Sequence, residues 1–276
     1  GLHYVEVSGA TSVNADVEFP AIPFDGACNE LDFPTDVRLT DRDVILVRSD
    51  LEVNLEDSGK FAFNAPIEVP VELPGPVLAL YTNEFTRGWG AVNVTIKDQD
   101  FSVVNTHLEV GDISAGSFEE LNLVQFLQAL ELKSIYPVFP EPQIVVGDIN
   151  STPYSGSVLD PRLAYAVLTN PVLDPELSQP LPFTFPMLYQ LRDVWDTRHQ
   201  PGLEDGFTCC QNEYVDNLES ELHERVDVIL ADFGDLEEKL DKAKFELLGD
   251  QPADATLSGL WPSDHAGVAV KLEFDR

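Results

Sequence analysis

Basic residues are scarce. Lys and Arg together number 16 against 49 Asp and Glu in a chain of 276 residues, a net charge of −33 at pH 7. A duplex-binding module gains affinity by neutralising phosphates with Lys and Arg, so this balance excludes the usual basic DNA-binding domain. Cysteine is rarer still: Cys28, Cys209 and Cys210 are the only three. They form no Cys-x-x-Cys spacing, which argues against a structural zinc site. Cys28 paired with one of the two vicinal cysteines is one reading, in an oxidising compartment. Three free buried thiols is the expected one. No apolar run approaches the roughly 18 residues a membrane-spanning helix needs. Repeats and low-complexity tracts are missing. No charged-then-apolar leader precedes the fold, and the first residue is Gly1. The sequence therefore predicts a chain trimmed or incomplete at its front.

The residues that are present suffice for a core. Apolar residues make up 43% and aromatics 9%, which excludes disorder as the whole answer. A chain of this length buries roughly three quarters of its unfolded surface without a disulfide staple. One domain over residues 1–276 is expected. The Debye length is about 8 Å at physiological salt and about 3 Å at 1 M. Self-repulsion of so acidic a surface is tolerable in salt and harsher in dilute buffer. A secreted or extracellular monomer in a saline setting is the expectation.

Strands dominate the pattern. Asp43 to Arg48 reads as a buried strand. Phe61 to Glu72 alternates but carries Pro66 and Pro70, which suits an edge or a loop. Val92, Val94 and Ile96 alternate, residues 97–100 turn, and Phe101 to Leu108 returns, so a hairpin is predicted. Ser117 and Glu120 form a capping box ahead of a helix with Leu121, Val124, Leu127 (or Gln128) and Leu130 on one stripe. Gln143 to Asn150 is a strand, and Leu163 to Leu168 a short helix. Arg225 to Ala231 and Gly267 to Phe274 are late strands. The charged stretch Leu236 to Phe245 between them reads as a helical excursion. Few helices and long connections point to an α+β fold, a two-sheet β-sandwich flanked by helices.

Strand period is two, so parity assigns faces. Phe101, Val103, Asn105 and His107 share one face. Ile144, Val146, Asp148 and Asn150 share another. Each face runs from apolar residues into two polar groups at the strand's C-terminal end, the way a rigid sheet builds a site at its rim. Taken singly, His107 reads as a satisfied strand-end histidine and Asp148-Ile149-Asn150 as an Asx-type turn. Ser263-Asp264-His265 precedes the last strand, and in a loop its carboxylate and imidazole can converge on one site. Asp227 alternates with Arg225 and Ile229, and a carboxylate pointed inward from an apolar strand requires a partner. A histidine would fix its tautomer in that pairing; a salt bridge to Arg225 is the alternative.

The order of these pieces resembles the endonuclease/exonuclease/phosphatase superfamily, the deoxyribonuclease-I-like fold. The matching stretches are DVILVR at 43–48, RGW at 87–89, VNTHLE at 104–109, VVGDIN at 145–150, RVDVILA at 225–231 and WPSDHAGV at 261–268. They cover residue 40 to the C-terminus. Phe-Thr-Cys-Cys-Gln at 207–211 is similar to a secreted bacterial branch of that group. The resemblance implies phosphoester hydrolysis with a divalent metal, usually magnesium, with manganese or calcium as alternatives. It implies that Asp148 orients and deprotonates the attacking water and that Asn150 holds that water or a phosphate oxygen. His265, oriented by Asp227, would contact the scissile phosphate. His107 would act on the leaving oxygen or bind phosphate. Asp264 would help to hold the metal, Asn105 would lie behind these groups, and Arg87 would contact phosphate or stand structurally beside Trp89. Family members open with an Asn-bearing strand and a Gln-Glu pair whose Glu binds metal. Neither precedes residue 43 here, and Glu6 is the one early candidate. The implied function is a metal-dependent phosphodiesterase. The alternatives are a catalytically impaired binding protein on the same fold and a phosphomonoesterase for inositol-phosphate-like substrates. Nucleic acid, a lipid head group or a small phosphoester remain open as substrates.

Overall fold

The computed structural model describes residues 2–19, 37–64, 66–72, 78–84, 86–111, 120–153, 163–169, 191–195 and 206–275. In chain order these contain β1 (Tyr4–Glu6), β2 (Ser12–Phe19), β3 (Val37–Asp43), β4 (Leu46–Arg48), β5 (Glu52–Lys60), β6 (Pro66–Glu72), β7 (Leu78–Glu84), β8 (Gly88–Ile96), β9 (Gln99–His107), α1 (Glu120–Ile135), β10 (Gln143–Asp148), α2 (Ala164–Thr169), β11 (Arg192–Asp193), β12 (Asp227–Asp232), β13 (Leu240–Leu248) and β14 (Gly267–Phe274). The fold is α+β, as the strand-rich pattern predicts.

A six-stranded mixed sheet, in the order β11-β12-β10-β9-β8-β5, carries the structure. Its nucleus is the predicted hairpin β8–β9. Ile96 pairs with Gln99, leaving a two-residue loop. Lys97 and Asp98 both have positive φ, 52° and 69°, the left-handed pair that a type I′ turn needs. The chain then crosses over through α1, so β10 lies parallel to β9. β12 pairs antiparallel on the far side of β10.

Alternation along these strands sorts the core into two layers. On one face Val104, Val145, Val228 and Leu230 pack on Ala129 and Leu132 of α1, Tyr136 just beyond it, and Ala164 and Leu168 of α2. On the other, Ile144, Val146, Ile229 and Ala231 meet Phe245 of β13 and Val268, Val270 and Leu272 of β14. Farther along that second face, Val92, Val94, Phe101 and Val103 meet Val7, Ile45 and Val47. The second layer of the sandwich is thus made of separate two-stranded pairs, β13–β14 and β1–β4.

Several expected elements differ. The strand expected over 43–48 is divided: β3 pairs with β2 and β4 with β1. The stretch 236–245 is no helix. A 3-10 turn over Gly234–Lys239 leads into β13. There Ala243 and Phe245 are buried while Lys242, Lys244 and Glu246 are exposed, so period two prevails. Residues 66–72 form an edge strand, one of the two readings for that stretch, paired with β7 in a two-stranded sheet. α1 and α2 stand where predicted, although Ser117 of the capping box lies outside the described residues. On the buried face of α1 Val124 and Gln128 stand as expected, and Asn122 and Gln125 are buried in addition.

Candidate active site

The last pairs of β9, β10 and β12 put three polar side chains in one row. Asp148 stands opposite His107 on one side and Asp227 on the other. Strands lie about 4.8 Å apart. By parity all three side chains leave the sheet on the face that Val103, Val146 and Ile229 cover with β13–β14 and β1–β4. The neighbour of Asp148 must be glycine. Gly147 has φ 142°, and a Cβ there would lie 1.8 Å from the Thr106 carbonyl oxygen. Asn105 sits deeper on the same face and lines a cavity of about 310 Å³ with Val146, Asp227, Ile229 and Val268.

His265 reaches the row from the turn before β14. That turn is fastened to the segment 208–211. Ala266 N–H donates to the Thr208 carbonyl at 2.8 Å, and Gln211 N–H donates to the Asp264 carbonyl at 2.8 Å. The hydroxyl of Thr208, itself fully buried, accepts from the N–H groups of Val226 (3.2 Å) and Asp227 (3.1 Å). One segment therefore fixes both ends of the pair that matters. The Nδ1 of His265 donates to Oδ2 of Asp227 at 2.8 Å. This hydrogen bond pushes the imidazole up to about 9, against burial and with help from the charges of Asp227, Asp148 and Asp264. His265 is an imidazolium at neutral pH.

Burial and the charge of Asp227 push the Asp148 carboxyl up to about 6. Its Oδ1 accepts from Asn150 N–H at 2.8 Å, and its Oδ2 lies 3.5 Å from Nε2 of His107. That second contact is no ion pair near pH 7. Burial and the Arg87 guanidinium push His107 down to about 4. Arg87 Nη1 donates to His107 Nδ1 at 3.0 Å, and an arginine has only donors. The proton of the neutral imidazole is therefore on Nε2, facing Asp148. Arg87 is held in turn near Glu109 (3.6 Å) and Asp41 (3.8 Å). Asn150 adopts φ 49°, and its amide nitrogen donates to the Leu108 carbonyl at 2.9 Å. Its side chain thus ties the end of β10 to the end of β9.

Asp148, Asp227 and His265 bring ligand atoms within 4.8 Å of one another. Two carboxylates suit a hard divalent cation, and magnesium commonly takes one or two carboxylates and fills its remaining positions with water and substrate phosphate. The donor set fits such an ion. Two expected or candidate ligands stand apart from this group. Asp264 is exposed and accepts from its neighbour Ser263. Glu6 on β1 is exposed and accepts from Thr11.

Other participants escaped the sequence. Arg225 does not pair with Asp227. It donates to Asp193 at 2.6 Å, and Asp193 also accepts from the Tyr165 hydroxyl. Gln125 donates to the carbonyls of Glu109 and Asn150, and its signal was an amide at a core position of α1. Thr208 lies in the Phe-Thr-Cys-Cys-Gln stretch at 207–211, but that resemblance gave its hydroxyl no role. Cys209 and Cys210 are disulfide-bonded to each other. They are neither free thiols nor partners of Cys28, which lies outside the described residues. Adjacency itself gave no preference for that pairing.

No protein-family model matches the sequence, and no curated protein matches it. Similar solved structures include truncated TDP2 of Caenorhabditis elegans, 16% identical over 94% of this chain and 75% of that one, with a TM-score of 0.49. An endonuclease/exonuclease/phosphatase of Bacteroides vulgatus is 19% identical over 84% of this chain and 70% of its own, TM-score 0.46. A mannosyl-6-phosphatase of Bacteroides thetaiotaomicron is 14% identical over 84% and 70%, TM-score 0.43. The Bacteroides vulgatus protein carries the name of the superfamily that the motifs resemble.

Proposed function

We propose that this chain is a divalent-metal-dependent phosphoesterase acting on phosphodiesters. One observation carries the reading: a carboxylate base, a neutral imidazole N–H donor and a cationic donor converge on one rim. Asp148 and Asp227 would hold the cation, which when bound would withdraw charge from the phosphoryl oxygens. Asp148, ionised above about pH 6, takes the proton of the attacking water. A base poised just below neutrality is suited to that transfer. His265, kept protonated by Asp227, donates from its other ring nitrogen to a phosphoryl oxygen, where negative charge grows in the transition state. His107, neutral and carrying its proton on Nε2, donates a hydrogen bond to the leaving oxygen, which takes its proton from solvent. Arg87 holds that tautomer and adds positive charge behind it. Asn150 fixes the carboxylate of Asp148 through its backbone N–H. Asn105 shapes the cavity floor.

The test is hydrolysis of bis-p-nitrophenyl phosphate and of p-nitrophenyl phosphate with magnesium, by the intact chain and by Asp148→Ala and His265→Ala. The diester should be the better substrate, and each variant should lose at least about a hundredfold in kcat. Turnover unchanged in both variants refutes the assignment. Absence of metal-dependent turnover in the intact chain favours a binding protein on this scaffold instead. Preference for the monoester moves the assignment to phosphomonoesterase.

A further inference from the structure

The segment that fastens His265 also carries a second potential ligand set. Cys209 is buried, Cys210 half-buried, and both stand beside His265. Cys209 forms an isolated antiparallel bridge with His265 on one side and with Glu224 on the other. The backbone there is held tightly. Cys209 N–H donates to the Glu224 carbonyl at 2.9 Å, and the Cys209 carbonyl accepts from His223 N–H (2.6 Å) and Glu224 N–H (2.9 Å). The two sulfurs and an imidazole nitrogen of His265 lie within 4.8 Å of one another. In tetrahedral zinc sites, bonds of about 2.3 Å to sulfur and about 2.0 Å to nitrogen place ligand atoms about 3.5 Å apart. The two sulfurs are bonded and therefore closer than that spacing, so they reach it only by moving apart once the bond is broken. In the disulfide form the sulfurs bond each other and the set is closed.

We propose that reduction of the Cys209–Cys210 bond opens a site for a thiophilic divalent cation of the zinc and cadmium class, held by two thiolates and His265. A dithiol reductant supplies two electrons and two protons; the S–S bond breaks, two thiols form, and the reductant closes into its own cyclic disulfide. On binding, each thiol releases one proton to solvent, and a protonated His265 releases one from the nitrogen that ligates. Thiolate softness separates this site from the carboxylate pair, which favours hard cations. With Nδ1–H kept on Asp227, the ligating nitrogen is Nε2, the one that would otherwise face a phosphoryl oxygen. Binding stands on the sulfur and imidazole geometry alone; only the accompanying loss of turnover rests on the phosphoesterase reading.

The experiment titrates cadmium chloride into the intact chain, oxidised and dithiol-reduced, after anaerobic removal of the reductant, with excess magnesium present. A thiolate-to-cadmium band in the ultraviolet is followed. The reduced chain should bind one equivalent and the oxidised chain should show no band. Cys28→Ser should leave binding unchanged, while Cys209→Ser and Cys210→Ser should each weaken it at least tenfold. The proposal is overturned if reduced and oxidised chains titrate alike, or if the band vanishes in Cys28→Ser. It is also overturned if binding survives in the cysteine variants but is lost in Asp148→Asn. Comparing the oxidised and reduced forms of the unaltered chain decides the matter even where a variant fails to fold. Simultaneous loss of phosphodiesterase activity would follow if His265 serves both sites; binding without that loss would count against the phosphoesterase role and leave the cation site intact.

Discussion

Asp227→Asn isolates what the carboxylate does for His265. Asparagine keeps the size and can still accept a hydrogen bond, but its charge is gone. The imidazole stands at about 9 against its ordinary 6.5, a difference of about 3 kcal/mol at 1.36 kcal/mol per unit. Each side chain of the pair is about a quarter exposed, and the charges of Asp148 and Asp264 stay behind. The variant's His265 should therefore titrate between about 7 and 8. The sign for stability follows. A histidine whose folded pKa is raised stabilises fully below the unfolded value of 6.5, and that contribution is lost as pH rises through about 9. Screening reduces it to about 1–2 kcal/mol. Proton NMR of the imidazole Cε1–H, in the presence of a chelator, reads the midpoint directly. Urea unfolding at pH 6 and pH 9.5 reads the stability. The wild type should lose about 1–2 kcal/mol more than the variant between those two pH values. A His265 midpoint unchanged in the variant would refute the coupling, and with it the role given to Asp227.

Three further outcomes are expected. Asp148→Asn should lower kcat by about 10²–10⁴ with little change in KM, while stabilising the metal-free fold at pH 8 by about 1–3 kcal/mol. A carboxyl raised by burial to about 6 destabilises increasingly as pH rises from about 4 to 6, and the amide removes that penalty; equal unfolding midpoints at pH 8 would contradict this. Thr208→Val keeps the shape but deletes the acceptor for two backbone N–H groups; unfolding should show a loss of about 1–3 kcal/mol, kcat should drop, and Thr208→Ser should restore both. Asp43, pushed up to about 6 by burial and, secondarily, by Asp41 against the hydrogen bond from Asn14, should destabilise the fold in the same pH window. Asp43→Asn should flatten the pH dependence of unfolding between pH 4 and 7, and an unchanged slope would count against it.

Parity made much of the site legible. Once 101–107 and 144–148 are read as strands, period two alone puts His107 and Asp148 on the faces of Val103 and Val146. What parity could not supply is register. That His107, Asp148 and Asp227 occupy a single row depends on which strands are neighbours, and adjacency of β10 to both β9 and β12 follows from the α1 crossover and long-range packing. Parity also misled where a strand had not yet begun. Arg225 stands two residues before Asp227, but β12 starts at Asp227, so Arg225 turns into the core toward Asp193. The charged run at 236–245 hid β13 because four exposed charges, Asp241, Lys242, Lys244 and Glu246, dominate that strand's composition while the small and aromatic residues between them do the packing. Burial of Gln128 is one of the two options on the helix stripe, but the partners of Gln125 and Gln128 were illegible for the opposite reason. Gln125 donates to the Glu109 and Asn150 carbonyls beyond the ends of β9 and β10, while Gln128 accepts from Glu109 N–H and donates to the Phe63 carbonyl; these partners become neighbours only in the folded chain.

The row itself runs against the rule that builds sheets. Carboxylates directly opposite one another on adjacent strands repel, and the pair Asp148–Asp227 is such a case. A chain with 33 more acidic than basic charges has few cations to relieve it. Among the described residues, the positive groups that reach this rim are His265 and Arg87, and each is already engaged, His265 by Asp227 and Arg87 by His107, with Glu109 and Asp41 close by. Asp148 has no cation of its own among these groups, and burial together with the charge of Asp227 holds its proton to about pH 6. A fold selected for stability alone would place a neutral side chain there. Retaining a destabilised carboxylate beside a second one makes physical sense if a cation or a proton in transit completes the site. The same repulsion therefore favours whichever partner completes the row, a proton or the cation that the proposed hydrolysis would use.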